Sequence, residues 1–142
     1  MSTLEDCARN FPDDPAVADG VALLRRVPPK HFYLDDNLGR VRPSSAAFED
    51  DGDGDPMSVY RRDVIDSEGG EVRRVLAGHE GYALASLTAS QVRSKSQAVH
   101  PDPLPTESSH ANVCGPKPKS TCRWFAKHAE WAISPRTSRE SS

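Results

Sequence analysis

Aromatic residues make up only 6% of this 142-residue chain, and nowhere does it approach the run of about 18 apolar residues that a membrane-spanning helix requires. Met1 to Phe11 carries acids and no apolar run, so it does not read as a secretory signal. Three cysteines without such a signal argue against a disulfide framework and for a reducing interior. A cytoplasmic protein with no membrane partner is the expectation. Excess positive charge is also lacking: the formal net charge is −3, which excludes a generally basic nucleic-acid binder but not a local basic patch.

What the chain has is punctuation. Twelve prolines, nine glycines and a hydrophobic fraction of 36% predict much loop around one modest core. The acidic, glycine-rich stretch 49–56 and the stretch 66–74 read as loops, and residues 135–142, PRTSRESS, as a disordered tail with nothing to bury. Residues 1–134 are left as a single domain. Charge is split along it: residues 1–80 carry a net −7 and residues 81–142 a net +4.

Hydrophobic spacing suggests the elements. Residues 4–10 read as a short helix capped by Thr3, with Leu4, Cys7, Ala8 and Phe11 on one face. Asp14-Pro15 is a helix-start signal, and Val17, Val21 and Leu24 then predict a helix over 15–26, ended by Pro28-Pro29. His31–Leu34, Met57–Tyr60, Gly81–Thr88, Ala98–His100 and His110–Cys114 read as strands. Asp35 to Gly39 reads as a turn, and Pro43 demotes 40–48 to an edge or loop. Thr88 or Ser90 caps a short helix through Arg93. Ser120–Ile133 is the strongest helix, with Cys122, Phe125, Ala126, Ala129 and Ile133 on its apolar stripe. The sum is an α+β fold: a small mixed or antiparallel sheet of four or five short strands, packed by a C-terminal amphipathic helix and N-terminal helices.

The segments Arg42-Pro43-Ser44-Ser45-Ala46-Ala47-Phe48, Met57-Ser58-Val59-Tyr60, Gly81-Tyr82, Asp102-Pro103-Leu104-Pro105 and His110-Ala111-Asn112-Val113-Cys114-Gly115 resemble, in order and spacing, a small uncharacterised bacterial protein family. The resemblance spans about residues 27–133. It implies a bacterial origin, one domain and an accessory role in a defence or mobile-element system, and it brings no activity or cofactor.

Several side-chain sets invite chemistry. Asp51, Asp53 and Asp55 suggest calcium, but an EF-hand needs a bidentate Glu at position 12, where the two registers place Arg62 or Tyr60. His110, Cys114, Cys122 and His128 lack the close ligand pairs of a structural zinc site, so no metal and no cofactor is expected. His100, Asp102 and His110 are the candidate catalytic set: paired strands would bring the two imidazoles together, and Asp102 could orient one of them for general acid–base work. Ser44 or Ser45 would need a base such as His79 or His110 to become a nucleophile, and no nucleophile elbow is present.

Gly115 to Thr121 leads into the last helix with two lysines where the helix dipole disfavours cations. Lys117, Lys119, Ser120 and Arg123, with Arg42, are therefore the candidate anion-binding set. Trp124, His128 and Trp131 form a second helical stripe, the candidate partner-binding face. Together these features favour a non-catalytic binding module that docks to a protein partner. The alternative is a phosphate-directed protein, binding nucleic acid or nucleotide or processing RNA, that uses Arg42, His110, Lys117 and Lys119.

Overall fold

The computed structural model describes residues 4–52 and 54–135. In chain order the elements are α1 (Leu4–Asn10), β1 (Ala22–Val27), β2 (Phe32–Asp35), β3 (Arg40–Pro43), β4 (Met57–Arg61), α2 (Arg62–Ser67), β5 (Ala83–Thr88), α3 (Ala89–Arg93), β6 (Ala98–Pro101), β7 (His110–Cys114), α4 (Lys119–His128) and β8 (Glu130–Ile133). Six strands form one sheet in the order β6-β7-β4-β1-β5-β8, with antiparallel pairing throughout, and β2 and β3 form a separate hairpin. The fold is thus α+β as expected, with more strands than the four or five anticipated.

The sheet buries both faces. Leu23, Val27, Met57, Val59, Ala85, Leu87, Val99 and Val113 pack with Phe48 and with Phe125 of α4. On the opposite face Leu24, Tyr60 and Leu84 pack with Ile65 of α2 and with Val75. Alternation along each strand sends successive side chains to the two layers.

The helix expected over 15–26 is not there. Asp14 does start a turn, accepting from the Ala16 amide at 2.9 Å. The chain then extends, and β1 pairs with β5 along six residues and with β4 along two. Gly20 weakens a helix at its centre, and Leu23, Leu24 and Val27 are buried on alternate faces, which a helix could not arrange. The helix expected over 120–133 is likewise cut short. It ends at His128, Ala129 is extended, and β8 follows on the free edge of β5. Trp131 and Ile133 therefore belong to a strand. Stretch 66–74, expected as a loop, contains the end of α2 and the start of a tight helical turn over Val72–Leu76. Asp35 to Gly39 makes the expected turn, with Gly39 at φ 64°. Thr88 caps α3: its hydroxyl accepts from the Gln91 amide while the Gln91 side chain accepts from the Thr88 amide. The Thr3 cap and residues 136–142 of the expected tail lie outside the described residues; Pro135 is buried.

The two sheet edges are treated differently. On β6 the Asp13 carboxylate accepts from the Val99 amide at 2.8 Å, and the Asp14 amide donates to the Val99 carbonyl at 2.9 Å. Arg93 holds that segment by donating to Asp13, Asp19 and the carbonyls of Asp14 and Val17. Among the described residues, no backbone hydrogen bond other than those to β5 engages Glu130–Ile133 on the opposite edge.

Cysteine use differs from the expectation as well. Cys7 of α1 is bonded to Cys114 of β7 across 107 residues of sequence, and Cys122 is a free, buried thiol. Cys7 is the only buried side chain of α1, so the disulfide is what ties that helix down. A cross-link closing a loop of ~100 residues removes up to about 4.7 kcal/mol of chain entropy from the unfolded state. Thiol titration of the denatured, unreduced protein is expected to give one thiol per chain, and Cys7→Ser to lower the unfolding free energy by about 2–4 kcal/mol; three titratable thiols would rule the bond out.

Candidate functional site

His110 sits on β7, and its side chain lies on the same face as Tyr60 and Ser58 of β4, because Tyr60 pairs with His110 and Ser58 with Asn112. Its Nδ1 is 2.9 Å from the Asp102 carbonyl oxygen, and its Nε2 is 3.1 Å from Ser58 Oγ. A carbonyl can only accept, so Nδ1 carries the proton and Nε2 accepts from the Ser58 hydroxyl. The Asp102 carboxylate lies 3.4 Å from Nδ1 and accepts from the Asn112 side-chain amide at 3.3 Å. Of the candidate catalytic set, Asp102 and His110 thus meet. His100 does not join them: its Nδ1 bonds the Pro12 carbonyl, and its ring meets the edge of Phe11.

Hydroxyl, imidazole and carboxylate in line resemble a nucleophile with its base. The surroundings are those of a structural network. The Ser58 amide, which could otherwise have helped stabilise an oxyanion, donates instead to Asp51 Oδ2 at 3.3 Å. Among the described residues, Ser58 and His110 line none of the clefts of the surface described below. What the set can do is hold β4, β7 and the 102–109 connection in register through a buried, fully bonded imidazole. Ser44 and Ser45, weighed as nucleophiles, begin the tight turn over Ser45–Phe48, with no hydrogen bond recorded to His79 or His110.

Next to Ser58 lies an ion cluster that sequence reasoning missed. Arg25 donates to the carbonyls of Ala47, Ser58 and Glu49 and to Asp51 Oδ1. Lys117 is there too. Its side chain is only 4% exposed, and Nζ donates to Asp50 at 2.6 Å and to the Val113 carbonyl at 2.9 Å. Burial pulls the Lys117 ammonium below the ordinary lysine value, against the opposing pull of Asp50. The lysine expected to wait for an external anion has therefore found an internal one. The stretch 49–56 remains irregular, but Asp50 and Asp51 are anchored rather than free in solvent; Asp53 lies outside the described residues.

Arg42 is also occupied, donating to Asp35 at 3.2 Å, and this bond helps hold the Asp35 carboxyl below its usual range against desolvation, the largest influence on it. Lys119, Ser120 and Arg123 are exposed on α4. Lys119, Arg123 and Lys127, at i, i+4 and i+8, form a cationic ridge with no acidic partner among the described residues. The anion-binding set is thus divided: Lys117 lies before the start of α4, and Arg42 lines a cleft at its end, about 15 Å away by helix rise.

The candidate partner-binding residues are also rearranged. Trp124 is half-buried, stacked on His128 with centroids 4.0 Å apart and covered by the Lys95 ammonium. Trp131 lies on β8, also half-buried, and its indole N–H donates to the Val41 carbonyl of the hairpin at 3.0 Å. The uncovered indole flank expected on one helix is therefore absent. Trp131 instead pins the hairpin, with Phe32 edge-on to its ring.

The exposed apolar surface is on that hairpin. Tyr33 is 48% exposed, Leu34 62% and Leu38 52%, three of the five large hydrophobic side chains exposed among the described residues. At its base is a cleft of about 400 Å³ lined by Arg40–Pro43 and by Ala126–Trp131. A second cleft, about 640 Å³, lies at the far end of β8 between Arg73, Leu76–Tyr82 and Ile133. His79 and Tyr82 both line it with their rings tilted at 59° and centroids 5.0 Å apart, and burial, then the Arg26 charge, lowers the His79 pKa. Alternation of Tyr33 and Leu34 beside the Asp35–Gly39 turn was the available sequence signal for this surface. Among the described residues no cluster of three metal-ligating side chains occurs, and no helix is long and apolar enough to cross a membrane.

Three expectations follow. Asp50→Asn leaves a buried ammonium without its counter-charge and is expected to cost about 3 kcal/mol, more than Lys117→Met, by urea unfolding. Because the folded Lys117 value is depressed, the unfolded chain binds the extra proton between the folded and ordinary values. The Lys117 contribution to stability therefore rises with pH over that window, and a pH series should lose this rise in Lys117→Met. Ser58→Ala removes the partner of a buried Nε2 and is expected to cost about 1–2 kcal/mol, with no Ser58 adduct formed by a fluorophosphonate on the parent protein. Labelling at Ser58 would instead make it a nucleophile.

Comparison with models of protein families, with curated proteins and with solved structures gives no match to this chain, so the motif resemblance assigns no family.

Proposed function

We propose that the chain is a non-catalytic accessory module that docks to an acidic protein partner. The observation that carries this reading is the β2–β3 hairpin, which leaves Tyr33, Leu34 and Leu38 in solvent. A lone two-stranded hairpin is marginal in water. This one is held to the body by the Trp131 indole, which donates to Val41 and meets Phe32 edge-on, while Tyr33, Leu34 and Leu38 stay largely in solvent. Exposed apolar side chains of this size mark contact surfaces when they gather beside charge. The charge is Arg40, beside the turn of the hairpin, and the Lys119, Arg123 and Lys127 ridge. That is the chemistry of an apolar anchor with a cationic rim, and it suits a partner carrying aspartate and glutamate.

The same ridge supports a second reading, contact with phosphate, as in RNA or a nucleotide. The two differ in what they ask of the hairpin. A cytoplasmic setting for either would require the Cys7–Cys114 bond to stay closed against a reducing thiol pool.

The triple variant Tyr33→Ser, Leu34→Ser, Leu38→Ser should lose at least tenfold of partner affinity, by titration against the partner recovered with the parent protein, while its melting temperature moves little. Undiminished affinity overturns the docking reading. Binding that ignores the hairpin but weakens steeply from 50 to 200 mM salt, and is lost on Arg123→Glu with Lys127→Glu, would favour phosphate.

A further inference from the structure

We infer that β8 is a strand-addition site, at which an extended acidic segment of the partner adds a seventh strand to the sheet. The inference rests on the docking reading above and names the form in which the partner binds.

The first ground is the contrast between edges. A sheet edge is a row of unpaired N–H and C=O groups, and proteins that keep to themselves cover it. This chain does so on β6, where Asp13 and Asp14 take both the N–H and the C=O of Val99 and Pro101 ends the strand. Nothing comparable is present on β8 among the described residues. Glu130–Ile133 pairs with β5 on one side, and the hairpin meets it only through the Trp131 side chain.

The second ground is what lies at the two ends of that edge. The 400 Å³ cleft opens at the start of β8 and the 640 Å³ cleft at its end. An extended chain rises about 3.3 Å per residue, so four residues pair along Glu130–Ile133 and a segment of about ten leaves about three at each end for the clefts. Main-chain bonds would supply affinity, and side chains dropping into the clefts would supply selectivity.

The third ground is charge. The first cleft presents Arg40 and Lys127, and the second presents Arg73, against Glu130 and Glu80. The first cleft keeps a cationic excess that attracts an acidic segment, while Arg73 and Glu80 offset each other at the second. The chain's own residues 136–142, with two arginines and one glutamate, carry the wrong sign. A second copy pairing antiparallel would set the cationic first cleft of each copy against the balanced second cleft of the other, without the acidic complement that a partner segment supplies.

The test uses the full chain and two synthetic ten-residue peptides, one alternating valine with glutamate and one alternating valine with lysine. The glutamate peptide should slow amide exchange at least tenfold within Glu130–Ile133, bind at least tenfold more tightly than the lysine peptide, and lose at least tenfold of its affinity on Arg40→Glu with Lys127→Glu. Equal binding of both peptides, or protection confined to β6 or the hairpin, overturns the inference. So does protection, without peptide, of the β8 amides that do not face β5, whether it accompanies a dimer in light scattering or disappears on truncation after Pro135, because the edge would then belong to a second copy or to the tail. The hairpin variant reports separately. If the glutamate peptide fails but the serine substitutions still abolish partner binding, docking stands and strand addition falls. If the peptide protects β8 while those substitutions change nothing, the hairpin reading falls and the edge remains.

Discussion

Where β1 and β4 separate, the Arg25 guanidinium takes the place of a strand. Only Leu23 and Leu24 of β1 reach ladder partners on β4. Beyond them the Ser58 carbonyl accepts from Arg25 Nη1 at 2.9 Å and the Ser58 amide donates to Asp51, while Arg25 and Asp51 close on each other at 2.8 Å. Buried backbone groups must be bonded, and an Arg–carboxylate pair can satisfy one donor and one acceptor together. The same guanidinium reaches the Ala47 carbonyl and so fixes the turn that carries Phe48 into the main core. Lys117 fastens the far side, joining Asp50 to the ends of β7. Two cations thus convert the most acidic stretch of the chain into a seam between the sheet and α4.

That seam explains the division of labour among the charges. Cations that could have formed a single anion site are consumed inside the fold, Arg25 and Lys117 in the seam and Arg93 at the β6 edge. Of those left over, Arg40 and Lys127 line the cleft between the hairpin and the start of β8, and Lys119 and Arg123 continue the exposed ridge of α4. The charge split seen along the sequence is therefore partly neutralised in three dimensions and partly concentrated. The concentrated part coincides with the unpaired edge and the exposed apolar side chains.

Local signals were legible where local chemistry decides the structure. The Thr88 capping box, the Asp35–Gly39 turn and the small-residue strand at β5 all follow from a few neighbouring residues. The pairing of 98–100 with 110–114 was readable from strand pattern alone. The failures have a common cause. Residues 15–26 and 129–133 have helical spacing, but each supplies what the sheet lacks, β1 a centre and β8 a neighbour for β5. Long-range pairing overrides a modest propensity difference. The site was legible in half: His110 and Asp102 meet, but Ser58, Arg25, Asp50 and Asp51 become partners only once β4 is set beside β7 and β1. Counting cysteines failed for a similar reason, since 107 residues separate the bonded pair and no spacing rule connects them.

The N-terminal segment then has a definite physical purpose. α1 contributes one buried side chain and would not stay folded against the sheet by apolar contact alone. It is held at one end by Cys114, and the chain that follows it is held by Val99 and Arg93. The β6 edge is thus closed by covalent and ionic means in addition to the packing of Val17 into the core. The described residues set a disulfide and an arginine with four acceptors on one edge and leave the other with a cleft at each end, an asymmetry that packing does not require. Covering either edge would serve stability; among the described residues β8 is the edge without a further backbone partner, and it is the edge at which we infer that a strand from elsewhere adds.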